Sequence, residues 1–231
     1  MARRPYHHGD LRTALLDAAE ELARERGVDG WSLREASVRV GVSPSAAYHH
    51  FDSRDALVRA LAERVLVRLG DRLGRAAGQA RGGDPQRRLI AVGRGYVRWA
   101  IEDPAVARLV FGAGRTGSDA PPLSPHPHDV LDAELDRLVE DGHLPVAARP
   151  GAEFVVWAAV HGLATLLVND LVQLDGQRAV DREAERVVRA VLTGLAHEPP
   201  GTPPWPAPRS AHTERLAKQR HRATPDPHDR A

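Results

Sequence analysis

Apolar residues along this chain recur at helical spacing, and no stretch alternates apolar and polar residues as a half-buried strand does. The pattern predicts an all-α protein. Leu11, Leu15, Ala18, Ala19 and Leu22 form one stripe behind Asp10, a fair N-cap, and Gly27 closes a helix over 10–26. Ser32-Leu33-Arg34-Glu35 has the spacing of a capping box, in which serine caps forward and glutamate reaches back. The short helix that it opens stops at Gly41. Ser43-Pro44 opens the next, with serine as N-cap and proline at the first helical position. Asp52-Ser53 caps a long helix to Gln79. Beyond the GGDP break at 82–85, the spacing predicts helices over 85–102, 104–111, 127–141, 151–173 and 180–196, with a loop at 112–127. Residues 197–231 are rich in Pro, Arg and His, carry no stripe, and are expected to be a disordered tail.

Residues 32–51 read together as a capped helix, a turn through Gly41-Val42-Ser43-Pro44, and a second short helix. This is the helix-turn-helix pattern. Gly41 suits a left-handed backbone. Val42 wedges the turn against the core, and Ala36, Val40 and Ala47 are small or apolar where the two helices must pack closely. The second helix offers Ser45, Ala46, His49 and His50, with Tyr48 between them. Small side chains at its start would let it sink into a major groove. His49 and His50 make a poor metal pair: neighbours on a helix face different ways, and no third ligand lies at helical spacing. Phe51 is expected in the core.

Composition narrows the chemistry. With 42% apolar residues the chain can build a sizeable core, and with no cysteine it has no disulfide, thiolate zinc site or thiol nucleophile. The formal charge is only +1, so any nucleic-acid partner must be held by a local patch. The longest apolar run, 154–168, is too short to span a bilayer and contains His161; the expectation is a soluble, cytoplasmic protein without a membrane partner. No nucleophile motif, phosphate loop or metal-spaced His/acid set is present, so no enzyme activity, cofactor or metal is expected. His126, His128 and the tail histidines fit no fixed metal site.

The run LLDAAEELARERGVDGWSLREASVRVGVSPSAAYHHFDSRDALVRAL resembles the DNA-binding domain of the TetR/AcrR family of transcriptional repressors, over residues 8–64. The matching features are Gly27, Ser32, the Gly41-Val42-Ser43 turn, Tyr48-His49-His50-Phe51, and Arg54 ahead of the long helix. Ala36-Ser37 departs from the pattern, which has a larger aliphatic followed by alanine. The resemblance implies an N-terminal three-helix helix-turn-helix domain followed by a helical ligand-binding and dimerisation domain. It implies phosphate contacts by Tyr48, His50 and Arg54. Ser43, Ser45, Ala46 and His49 would meet base edges or nearby phosphates, and Ser32 and Arg34 would reach phosphate from the preceding helix. Arg3 and Arg4 would add a basic arm. The expected divisions are an arm at 1–9, the DNA-binding domain at 10–64, the second domain at 65–196 and the tail at 197–231.

In the second half, Trp157, His161, Thr165 and Asn169 recur every four residues on an otherwise apolar helix. Such a stripe either lines a mostly apolar pocket with a few polar anchors or is satisfied packing at a core or dimer contact. Trp99 and Phe111 are further candidates for the pocket wall, with Tyr96 behind them. The Trp-x-x-x-His-Gly segment from Trp157 to Gly162 resembles the C-terminal domain of a TetR subfamily named for those letters. The implied partners are a double-stranded, pseudo-palindromic DNA operator, a small lipophilic effector and a second copy of the chain. The alternative is a constitutive or architectural DNA-binding protein whose second half only dimerises.

Overall fold

The computed structural model describes residues 8–80, 85–112 and 124–197, with side chains from Leu11 onward. Arg3, Arg4 and the tail beyond His197 lie outside the described residues. The helices are α1 (His8–Arg26), α2 (Leu33–Val40), α3 (Pro44–Tyr48), α4 (Arg54–Gly78), α5 (Pro85–Glu102), α6 (Pro104–Gly112), α7 (Pro127–Glu140), α8 (Ala152–Val168) and α9 (Gly176–Ala196). A 3-10 turn at Val146–Ala148 joins α7 to α8, and no strand occurs among the described residues.

Four boundaries differ from the sequence reading. α1 starts at His8, so Asp10 sits inside its first turn rather than ahead of it. α3 stops at Tyr48. α8 ends at Val168, five residues before the apolar run gives out. Asp170 there turns left-handed at φ 55, and Leu171 is left 69% exposed. α9 begins at Gly176, because a polar first turn precedes the stripe that starts at Val180.

The N-terminal unit is built on local signals that the chain supplies at each joint. Ser32 accepts from the Glu35 backbone N–H at 3.2 Å, and the Glu35 carboxylate accepts from the Ser32 N–H at 2.9 Å. Gly41 takes φ 78 at the end of α2. Ser43 accepts from the Ala46 N–H at 3.2 Å and starts α3. Ala36 and Ser37 are fully buried, and the Ser37 hydroxyl donates to the Arg34 carbonyl at 2.6 Å. The small pair thus packs closely with its one polar group satisfied. Ser32→Ala should lower stability by about 1 kcal/mol, read as a shift in thermal midpoint, because it removes the side-chain half of this cap and leaves the Glu35 N–H without its acceptor.

α4 joins the two halves. It runs for 25 residues, about 37 Å of helix. Its first half packs on α1 through Leu57, Leu61 and Val65; its second half packs on α5 and α7 through Leu69, Leu73 and Ala77. α5 is the central helix of the second half, packed by α4, α6, α7, α8 and α9. Two crossings are tight enough to require glycine. A Cβ at Gly70 would lie 2.1 Å from the Pro125 carbonyl oxygen, and one at Gly93 would lie 2.6 Å from the Val188 side chain.

Charged pairs reinforce the joints. Glu20, 6% exposed, accepts from Arg24, Arg64 and Arg68. Arg24 also donates to Asp103 at 2.8 Å, which ties α1 to the start of α6. Arg94 pairs with Glu185, and Arg98 with Asp181, across α5 and α9.

Candidate functional site

The first candidate site is the outer face of α2 and α3. Ala47 is fully buried and Phe51 is 4% exposed, which seats α3 on the core and turns its other side outward. Ser43, Ser45 and His49 are exposed, Ala46 and His50 are half-buried, and Tyr48 is 52% exposed. A tyrosine so open does little core packing and keeps its hydroxyl available at the surface. Arg34 is exposed on α2. One turn further lies Val38, an apolar side chain 67% exposed that the sequence reading did not single out. Its place four residues after Arg34 was the available signal, since both fall on one helix face. Ser32 stays half-buried and engaged in its capping box.

Arg54 does not join this face. Its guanidinium donates from Nε to the Trp31 carbonyl at 3.0 Å and from an Nη to the Val28 carbonyl, and it lies over the Trp31 ring at 4.6 Å. The implied phosphate contact therefore meets a side chain already used to fasten the turn before α2 to the start of α4. The Val28 and Trp31 carbonyls of that turn hold the fork inward.

The second candidate site lies among α4, α5, α7 and α8. A cavity of about 40 Å³ is lined by apolar atoms only, from Leu73, Leu89, Tyr96, Leu131, Trp157 and neighbours. That is room for roughly one or two waters. The described Phe, Tyr and Trp residues between 85 and 197 form one connected cluster beside it. Tyr96 stacks on Phe111 at 6.5 Å and tilts against Trp99 at 5.7 Å, and Phe154 meets Trp157 at 6.4 Å. His161 is inside the cluster, 4.4 Å from Phe111 and 5.3 Å from Trp157. His128 meets Trp157 at 5.0 Å and stacks on His126 at 5.2 Å.

The polar groups of the cluster are few. The Tyr96 hydroxyl and His161 Nδ1 are 2.9 Å apart. Burial pushes the Tyr96 hydroxyl well above its ordinary value. Burial pulls His161 below the ordinary imidazole value, which favours the neutral ring. The Thr165 hydroxyl is buried without a partner. Asn169 stands apart: it is exposed beyond the end of α8, where its side-chain oxygen faces Arg108 Nε at 3.4 Å. The four-residue spacing put it on the stripe, but the helix ends at Val168. Trp99, Phe111, Trp157 and His161 are brought together. Tyr96, His128 and the α4 and α7 walls come from segments that only the tertiary fold assembles.

Residues 15–61 match the model for bacterial regulatory proteins of the tetR family, and residues 89–197 match the model for the tetracyclin repressor-like C-terminal domain. Together the two matches span more than half of the chain. The chain belongs to the TetR family. Among its relatives, the HTH-type transcriptional regulator YobS of Bacillus subtilis is 32% identical over 96 residues, 42% of this chain and 49% of that protein. The HTH-type transcriptional regulator Rv1816 of Mycobacterium tuberculosis is 32% identical over 117 residues, 49% of this chain and 50% of that protein. The chain spans about half the length of the curated relatives it matches. A protein of unknown function from Rhodococcus sp. RHA1 superposes with a TM-score of 0.69 at 29% identity, covering 84% of this chain and 100% of that one. Among the described residues, no helix is long and apolar enough to cross a membrane.

Proposed function

We propose that this TetR-family chain is a ligand-responsive transcriptional repressor, which binds a pseudo-palindromic operator as a homodimer and is released by a small lipophilic effector. The observation that carries the DNA reading is the outward face of α3, with Tyr48, His49 and Ser45 open beside Arg34. Tyr48 and His50 fix register on phosphates, while Ser45, Ala46 and His49 read base edges. Residues 10–64 form the DNA-binding domain, 65–196 the sensing and dimerising domain, and 1–9 and 197–231 an arm and a tail.

The homodimer is supported by an apolar stripe on the outside of α8. Val155, Ala158 and Leu166 are exposed, and a Cβ at Gly162 would meet nothing within the chain. A matching helix from a second copy fits such a stripe, with α9 alongside, as a four-helix bundle about a two-fold axis. The effector acts by population shift: bound at the aromatic cluster, it favours a spacing of the two α3 helices that misses successive grooves, and DNA weakens effector binding by the same factor. The small, 40 Å³ cavity favours one second reading, a constitutive DNA-binding protein whose C-terminal half only dimerises.

Binding to the upstream intergenic DNA, followed by fluorescence anisotropy at several salt concentrations, tests the proposal. Tyr48→Ala should weaken binding about tenfold, equally for operator and near-operator sequences, because a phosphate contact sets register without reading bases. Arg34→Ala should flatten the salt dependence by about 0.9 in log–log slope. Unchanged affinity in both variants would place the DNA contact elsewhere.

A further inference from the structure

The arginines of α1–α3 divide into two groups. Arg24, Arg26 and Arg39 each pair with a carboxylate. Among the described residues, Arg12 and Arg34 meet none, and both are exposed. Arg34 already belongs to the outer face beside α3. Arg12 stands at the end of α3. Its guanidinium carbon lies 5.2 Å from the centroid of the Phe51 ring. Phe51 is 4% exposed, and its backbone N–H donates to the Ala47 carbonyl at 3.1 Å. The ring is therefore fixed in the core directly after His49 and His50, and it fixes Arg12 there with it. A guanidinium stacked on a ring uses its flat face and keeps its edge N–H groups, which can take two phosphate oxygens at once. The corner from Phe51 to the start of α4 is also where the family resemblance places a phosphate contact on Arg54. Arg54 instead donates to the Val28 and Trp31 carbonyls. Asp52 and Asp55 are exposed at that corner, so a phosphate approaching it needs another cation close by.

We infer that Arg12 is a DNA-phosphate contact supplied by α1, and that it takes at the α3–α4 corner the role implied for Arg54. This rests on the reading of the outer face of α3 as the DNA interface, and adds a cation from a third helix. α1 and α2 both pack on α3. Arg12 on one and Arg34 on the other hold the backbone of the duplex, while the reading of bases stays with α3. Phe51 is the positioning residue for this contact, since it sets where the guanidinium stands.

The full chain is first used to enrich a duplex from a random-sequence pool. Binding to that duplex is then followed by fluorescence anisotropy between about 50 and 200 mM KCl. Arg12→Met keeps an apolar stem over Phe51 and removes the charge. It should flatten the log–log salt slope by about 0.9 for each protomer bound. It should leave the affinity ratio between the enriched duplex and a base-substituted one unchanged, because a phosphate contact carries no sequence information. Arg12→Lys should keep the wild-type slope, and both variants should keep the wild-type thermal midpoint. Arg54→Gln should do the reverse, lowering the midpoint while the slope holds. An unchanged slope in Arg12→Met, or a changed ratio between the two duplexes, overturns the inference alone. So does a slope that falls together with the thermal midpoint in Arg12→Met, or one that is lost in Arg54→Gln. If no duplex is enriched, the interface reading falls and the inference with it.

Discussion

Glu20→Ala should lower the stability of the chain by about 3 kcal/mol, a fall of about 10 °C in thermal midpoint. Glu20 is 6% exposed and is the common acceptor of Arg24, Arg64 and Arg68. Removing it leaves three guanidinium groups facing each other at the joint of α1 and α4. The loss falls at the lower end for a broken buried pair, because Arg64 keeps Asp17 and Arg24 keeps Asp103. The same carboxylate has a pH signature. Burial alone would raise its pKa, but the hydrogen bond and charge of Arg68, with the charges of Arg24 and Arg64, hold it below the ordinary value. A lowered folded pKa stabilises above the unfolded value of about 4.3 and loses that stabilisation as pH falls through the folded one. The gap between wild type and Glu20→Ala should therefore be full at neutral pH and shrink on acidification below that value. Urea titrations across that range measure it; a gap independent of pH would rule out the ionised hub.

Two glycines one turn apart on α4 should respond to alanine with opposite signs. At Gly70 the new methyl would sit 2.1 Å from the Pro125 carbonyl oxygen and 2.7 Å from its carbon, both backbone atoms. Something must shift, at a cost of about 2 kcal/mol. At Gly74 nothing lies within 4 Å, so alanine only restores helix propensity and should stabilise by about 0.5–1 kcal/mol. The displaced segment in Gly70→Ala leads directly into Pro127 and His128, which line the cavity. That variant should also move the Trp157 indole resonance, and Gly74→Ala should not. Equal responses at the two positions would mean that the 124–127 segment is not seated on α4.

The helix-turn-helix could be read from the sequence because its joints are local. A serine with a glutamate three residues on, a glycine, and a serine before proline each fix one backbone feature without help from distant parts of the chain. Arg54 was misplaced for the opposite reason. Its partners are carbonyls at residues 28 and 31, and nothing in the spacing of the sequence says that these lie beneath it. Glu20 reads as one more helical surface charge until Arg64 and Arg68 are brought across by the packing of α4 on α1. The far end of α8 was overrun because Leu171 and Val172 continue the apolar run, although both are exposed. The ring cluster was half legible. Trp157 and His161 share a helix face, whereas Tyr96, Phe111 and His128 arrive on three other helices.

The two ion pairs between α5 and α9 act as a key. Arg94 meets Glu185 and Arg98 meets Asp181, one turn apart on antiparallel helices. Slide α9 by one turn in one direction and Arg98 finds Glu185, but Arg94 is set against Arg189, a like charge. Slide it the other way and Arg94 finds Asp181, while Arg98 is left facing Gln177. Only one notch satisfies both arginines. Gly93, closed down on Val188, adds a steric stop at the same crossing. The register of α9 on α5 is thus held at this point against sliding along the helix axis.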